Sequence, residues 1–401
     1  MGIDMDHPAL FARTRATLPE ILADIERLVS CESPSSDLAA VARSADVVAE
    51  LGTARLGAVP ERIVFDGVTH LRWRFGPGPT RVLLLGHHDT VWPIGSLTAH
   101  PFGVVDGVLR GPGCFDMKAG LVMATHAAAA LPDPSGVTLL ITGDEEVGSP
   151  TSRELIETEA SGCAAALVLE ASADGGALKT ERKGVSRYEI HVRGRAAHAG
   201  LEPWRGVNAG VELAHQVLAV QALADPGQQT TVVPTVMSAG TTANTVPEQG
   251  RLDVDARVRS VTEQARLDTA MRALRPVLPG AGLEITGGPN RPPLEARASA
   301  DLFDRAARLA ARLGLAPLTS AVVGGASDGN FTAGIGTPTL DGLGAVGGGA
   351  HSAGEHVLVD ELPGRTALLT ALLADLLADW RTLSSPCGLT NQQPSSRAAR
   401  P

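Results

Sequence analysis

Three apolar runs constrain this chain more than any other feature: "VLLLGHHDTV" at 82–91, "VTLLITGDEEVGS" at 137–149 and "AAALVLEAS" at 164–172. Each is apolar without alternation and then stops in a polar or acidic cluster. Unbroken runs of this length suit strands buried on both faces, as in parallel sheets covered by helices. Open sheets of that kind hold ligands outside the carboxyl ends of their strands. The runs therefore predict an α/β fold whose chemistry gathers at one edge. In the first run His87 and Asp89 are two residues apart, so their side chains leave the strand on one face and His88 on the other. A metal-ligating histidine with a carboxylate behind it has this spacing, and so does a satisfied core histidine in a capped loop.

The elements around the runs support the same class. Helical stretches at 8–30 and about 36–52, separated by "CESPSSD", precede short strands in "RIVFDG" and "LRWRFG", and an alanine-rich helix is predicted over 118–131. From 181 the texture changes. "VSRYEIHVRG" alternates with period two, and a helix at 207–222, strands in "TTVVPTVMSAG" and "GRLDVDARVRS", a helix at 262–278 and a strand in "GLEITGG" follow. The order β-α-β-β-α-β predicts an inserted ferredoxin-like sandwich. After the joint "GPNRPPLEA" the α/β pattern returns with a helix at 299–313, a strand in "TSAVVGG", a glycine-rich run to "GAHSAGEHV" and a helix at 362–381. The expected division is a catalytic part at 1–180, an insert at 181–293, a second catalytic part at 294–383, and a tail at 384–401 too poor in apolar residues to fold.

With 401 residues, 44% of them hydrophobic, the chain has room for both units. A net charge of −10 and the lack of a basic run argue against a nucleic-acid partner. No apolar stretch reaches the roughly 18 residues of a membrane span, and the first residues lack a signal-peptide pattern, so no membrane partner and a cytoplasmic address are expected. Cys31, Cys114, Cys163 and Cys387 show no CxxC spacing and suit reduced thiols. Any metal here must be held by histidine and carboxylates.

Candidates for that task sit in four further places. Asp116 in "GPGCFDMKAG" precedes a helix and reads as an N-cap or as a ligand. In "TGDEEVGS", Glu145 and Glu146 stand side by side, so one can bind a cation while the other reaches for a water; a solvated acidic turn is the competing reading. Glu170 ends an apolar run, where a carboxylate is costly unless paired or metal-bound. His351 lies among glycines that permit close backbone approach. Together, two histidines, an aspartate and two glutamates can hold two zinc ions, one aspartate bridging them at about 3.5–4 Å separation.

These motifs, in this order, resemble the co-catalytic zinc peptidases and amidohydrolases that include bacterial glutamate carboxypeptidase, aminoacylase and succinyl-diaminopimelate desuccinylase. "GHHDTV" is similar to the family's His-x-Asp motif, "GPGCFDMKAG" to its Asp-x-Lys-Gly motif and "DEEVGS" to its paired glutamates. The resemblance spans roughly residues 15–380. It implies a mixed-sheet zinc-exopeptidase-like α/β catalytic domain, with the sandwich as a smaller dimerisation and lid domain. It implies that His87, Asp116 and Glu170 hold one zinc and Asp116, Glu146 and His351 the other, with cobalt or manganese as substitutes. Asp89 would then orient His87, and Glu145 would be the general base. At the position of His88 an apolar residue such as methionine is usual in relatives, which implies a packing role. His198 in "RGRAAHAG" matches a histidine that stabilises the oxyanion, often in the partner subunit's site, and Asn244 and Arg257 match substrate-contacting positions.

The implied reaction is amide hydrolysis by a metal-bridged water that gives its proton to Glu145. "DEEVGSPTSRELI" and "GGASDGNF" look like the glutamate carboxypeptidase-like branch, which releases a C-terminal amino acid from a small peptidyl or N-acyl amino acid. An N-acyl-amino-acid deacylase or desuccinylase would use the same metals, and a non-catalytic binding protein could retain the fold. A homodimer through the inserted domain is expected.

Overall fold

The structure, a computed structural model, describes residues 6–384. The tail expected to be unfolded lies, from residue 385 on, outside them. Six strands form a mixed sheet in the order Glu61–Phe65, Val68–Arg74, Val137–Thr142, Val82–His87, Ala165–Val168 and Thr339–Leu340. Val82–His87 runs parallel to both neighbours, whereas Val68–Arg74 runs antiparallel to the strands on either side of it. Val82 and Leu84 enter one apolar cluster, with Ile25, Val48, Met123 and Leu372; Leu83 and Leu85 enter another, with Ile156 and Phe331. Strands feeding two cores need apolar residues at every position, which is why the runs are unbroken. Each fully buried leucine contributes on the order of 2 kcal/mol, so a slip along the sheet is strongly opposed.

The helix Ala119–Ala129 packs against the end of Ala165–Val168 through Gly120, where a Cβ would meet the Leu169 carbonyl oxygen at 2.1 Å. That approach sets the position of Glu170, the next residue along.

A second sheet is antiparallel, with strands in the order Thr231–Ala239, Gln249–Val258, Gly184–Arg193 and Gly282–Arg291. The helices Ala209–Gln221 and Val261–Arg272 lie between its strands in sequence, giving the β-α-β-β-α-β order. Its core is separate: Tyr188, Ile190, Leu213, Leu252, Val254 and Leu267 cluster among themselves. The two crossover segments meet at Arg182 and Leu294, whose main chains exchange hydrogen bonds of 3.0 and 3.1 Å.

Three features depart from the sequence reading. The second insert helix ends at Arg272 rather than 278, because Pro276 has no N–H to donate and disfavours helical geometry in the residue before it. The last insert strand continues to Arg291 through Pro289, beside a register shift at the sheet edge, where proline is tolerated. A small sheet of Gly103–Val105, Val108–Arg110, His356–Leu358 and Gly347–Gly348 was not foreseen; its strands of two or three residues are too short for a period. Among the described residues no helix is long and apolar enough to cross a membrane.

Candidate metal centre

The carboxyl ends of the buried strands deliver the site. His87 is the last residue of its strand, Glu145 and Glu146 open a single turn after Val137–Thr142, and Glu170 lies two residues beyond Val168. Asp116 sits in the tight turn Cys114–Lys118. His351 occupies the loop between Gly347–Gly348 and His356–Leu358 with φ of 60°, a left-handed conformation unusual for a non-glycine residue.

These side chains meet around Asp116. His87 Nε2 is 3.4 Å from Asp116 Oδ1 and 3.5 Å from Glu170 Oε1. His351 Nε2 is 3.2 Å from Asp116 Oδ2 and 3.2 Å from Glu146 Oε1. One carboxylate thus offers one oxygen to each histidine. Among the described residues, His87, Asp116 and Glu146 form one group able to hold a metal ion, and His87, Glu145 and Glu170 form another.

The donor set fits metal ions. His87 Nε2, Asp116 Oδ1 and Glu146 Oε1 are buried with no hydrogen-bond partner, a condition native proteins avoid unless an ion or water supplies one. Without a metal the group titrates as ion pairs. Burial would lower His87, but Asp116, Asp89 and Glu170 hold it well above the usual histidine value. The carboxylates of Asp116 and Glu146 beside it raise His351 to about 10. Burial would raise Asp116, yet His351 and His87 pull it far below the ordinary carboxylate range. Imidazole and carboxylate donors without thiolate suit zinc, cobalt or manganese.

Asp89 does more than stand behind His87. The nearest acceptor for His87 Nδ1 is the Asp89 main-chain carbonyl, at 3.0 Å, with the carboxylate Oδ1 at 3.4 Å. The Asp89 carboxylate accepts from the main-chain N–H groups of Glu145 and Glu146, both at 3.2 Å, and from Ser35 Oγ at 2.6 Å. One buried aspartate therefore positions the paired glutamates as well. His88 points away and is buried, its Nε2 donating to the Thr69 carbonyl at 3.0 Å, while its Nδ1 has no partner.

Sequence reasoning missed two arginines on the crossover segments. Arg291 reaches Glu145 Oε1 at 2.8 Å and Asp328 Oδ1 at 3.0 Å, and its guanidinium lies 5.1 Å from the Phe331 ring centroid. Arg182 pairs with Asp341 at 2.7 Å and stands 3.4 Å from Glu170 Oε2. Burial raises Glu145 well above the ordinary glutamate value, and Arg291 opposes that rise.

The candidates of the inserted sheet are not brought to the cluster: among the described residues no hydrogen bond or ion pair joins them to it. His198 is exposed, and its Nδ1 accepts from the N–H groups of Gly200 and Leu201 at 3.1 and 3.2 Å, which leaves the ring proton of the neutral form on Nε2. Asn244, also exposed, accepts from the Ala199 N–H through its main-chain carbonyl at 2.9 Å, so it lies beside the His198 turn. Arg257 is already engaged in a two-point pair with Asp255, at 2.7 and 3.0 Å.

Two imidazoles and two glutamates around a shared aspartate, on a mixed α/β sheet with an inserted antiparallel sandwich, define a hydrolase of the metallopeptidase and amidohydrolase class. The chain belongs to peptidase family M20/M25/M40, whose family model matches residues 83–375. It is 29% identical over 383 residues to carboxypeptidase G2 of Pseudomonas sp. (strain RS-16), covering 92% of each chain. It is 31% identical over 390 residues to a succinyl-diaminopimelate desuccinylase of Granulibacter bethesdensis (strain ATCC BAA-1260 / CGDNIH1), covering 88% of this chain and 97% of that one. Its fold is similar to that of the M20 family metallo-carboxypeptidase Sso-CP2 from Sulfolobus solfataricus, with a TM-score of 0.68 at 15% identity, covering 88% of this chain and 98% of that one.

Proposed function

We propose that this enzyme is a zinc-dependent, glutamate carboxypeptidase-like hydrolase that releases a C-terminal amino acid from a small peptidyl or N-acyl substrate. The observation that carries the reading is the shared aspartate: Asp116 faces His87 with one oxygen and His351 with the other, each histidine having a glutamate beside it. His87, Asp116 and Glu170 would hold one zinc, and Asp116, Glu146 and His351 the second. When bound, such ions lower the pKa of a water to about 7 and polarise the scissile carbonyl.

Glu145 takes the proton of the attacking water and returns it to the leaving amine. Burial raises its affinity for protons, the direction a group that must accept one needs. Asp89 holds its main chain in place through that turn. Arg291 supports the choice of a substrate with a free carboxylate, because its fork now pairs with Glu145 and Asp328 and can pass to an incoming carboxylate as Glu145 turns to the water.

Residues 181–293 would form a lid and dimerisation domain, with His198 donating from Nε2 to the oxyanion in the partner's site. Asn244, beside it, would contact substrate, and Arg257 would do so by exchanging Asp255 for a substrate group. A release assay over N-acyl, succinylated and folate-like amino acids tests the reading. Fastest release of a C-terminal amino acid from peptidyl or aroyl substrates supports it; preference for succinylated amines would make the enzyme a desuccinylase. No turnover from zinc-loaded protein would favour a binding protein.

A further inference from the structure

One buried carboxylate outside the proposed ligand set ties together three of the segments that carry it. Glu355 is 3% exposed and lies four residues after His351. Its Oε1 accepts from the main-chain N–H groups of Phe115 and Asp116, at 2.9 and 3.0 Å. Its Oε2 accepts from the Gly113 N–H at 3.0 Å and from Trp92 Nε1 at 2.6 Å. The four donors come from the turn bearing Asp116 and from the segment that follows His87 and Asp89. The carboxylate itself is rooted in the His351 loop, where Glu355 N–H donates to the Ser352 carbonyl and Ser352 N–H to that of Gly349, both at 3.0 Å.

The donors of the Asp116 turn have little else to bind. Gly113 has a left-handed φ of 70°, and the turn Cys114–Lys118 directs successive N–H groups toward one point. Four N–H donors converging on one carboxylate form a rigid anchor, since charge-assisted hydrogen bonds are about twice as strong as neutral ones. The His351 loop needs an anchor more than most, because His351 holds a conformation that costs a non-glycine residue on the order of 1 kcal/mol or more.

We propose that Glu355 is a positioning residue: it fixes the Asp116 turn and the His351 loop to one point, so that Asp116 faces both histidines and the second metal position is formed before a metal arrives. This rests on the ligand set given under the proposed function. Glu355→Gln keeps the shape but replaces one acceptor oxygen with an amide NH₂ that points at two N–H donors. Glu355→Asp keeps the charge and withdraws both oxygens by one methylene.

The test is to strip the protein of metal and titrate it with zinc, and separately with cobalt(II), following stoichiometry by atomic emission and cobalt coordination by visible absorption. Wild-type protein should take up two ions. Glu355→Gln should weaken both, since Asp116 serves both, but the ion beside His351 at least about tenfold more than the other, with an altered cobalt spectrum, and Glu355→Asp should fall between. Two ions bound by Glu355→Gln at wild-type affinity would overturn the proposal, as would equal weakening of both in step with a fall in Tm. Should Glu355→Gln not fold, Glu355→Asp decides by the same criteria. Wild-type protein that binds no metal would instead remove the proposed ligand set, and this inference with it.

Discussion

The two sheets treat their polar residues in opposite ways. In the mixed sheet, two histidines from distant points of the chain stand within 3.4 Å of one aspartate, and each has a glutamate within 3.5 Å. In the inserted unit, the loop residues His198 and Asn244 are exposed, and Arg257, on the sheet, is paired two residues away with Asp255. Burial accounts for the difference. Strands packed on both faces cannot slip without burying polar groups, so the residues just past their ends are fixed by the whole core. An antiparallel sheet with one solvated face leaves its charges free to choose local partners, as Arg251 does with Asp253. The first region gathers its candidate ligands within one chain; on the proposed function the second would take part only through a movement or a partner.

The largest expected effect lies in the first region. Glu145→Gln should lower kcat by about 10²- to 10⁴-fold while metal content stays at the wild-type level. Activity within a few-fold of wild type would remove Glu145 as the base. In the second region, His198→Ala should lower kcat by roughly 10²-fold. If His198 serves the partner's site, mixing this variant with Glu145→Gln and allowing subunit exchange should restore up to about a quarter of wild-type activity, since half of a random mixture is hybrid with one intact site in two. No recovery from a protein that light scattering shows to be monomeric would place His198 within its own chain or outside catalysis.

The smallest effect concerns the floor of the first region. Burial lowers His88 to about 4, because protonation would leave a charged Nδ1–H in the core without a partner. Between pH of about 6.5 and 4 the unfolded chain binds a proton at this position that the folded chain does not, so stability rises with pH across that window. The contribution is complete above the upper limit and absent below the lower one, and it amounts to roughly 3 kcal/mol. Urea unfolding at pH 7 and pH 4.5 should show His88→Met losing less stability on acidification than wild type. Equal losses would mean that His88 is not held neutral in the fold.

What the sequence shows follows the same division. Unbroken apolar runs that stop in His87, Glu145 and Glu170 reveal both the sheet and the edge where its chemistry lies, because burial on two faces leaves its mark on every residue. The insert's strands are legible from period two, and its element order follows. Arg182 and Arg291 are not legible: they lie in crossover segments, "TERKG" and "GPNRPPLE", where composition signals a joint and only the tertiary path decides that a cation is buried there. Glu355 is hidden for a similar reason, since its four partners lie some 240 to 260 residues away in sequence. The early end of the helix at Arg272 had a visible cause in Pro276.

On the proposed function, Asp116 would serve two metal ions at once. Anomalous diffraction at the zinc edge from crystals of zinc-loaded protein tests it directly. Two peaks about 3.5–4 Å apart are expected, one beside His87 and Glu170 and the other beside Glu146 and His351, with Asp116 between them. A single peak, or peaks that Asp116 does not join, would contradict it.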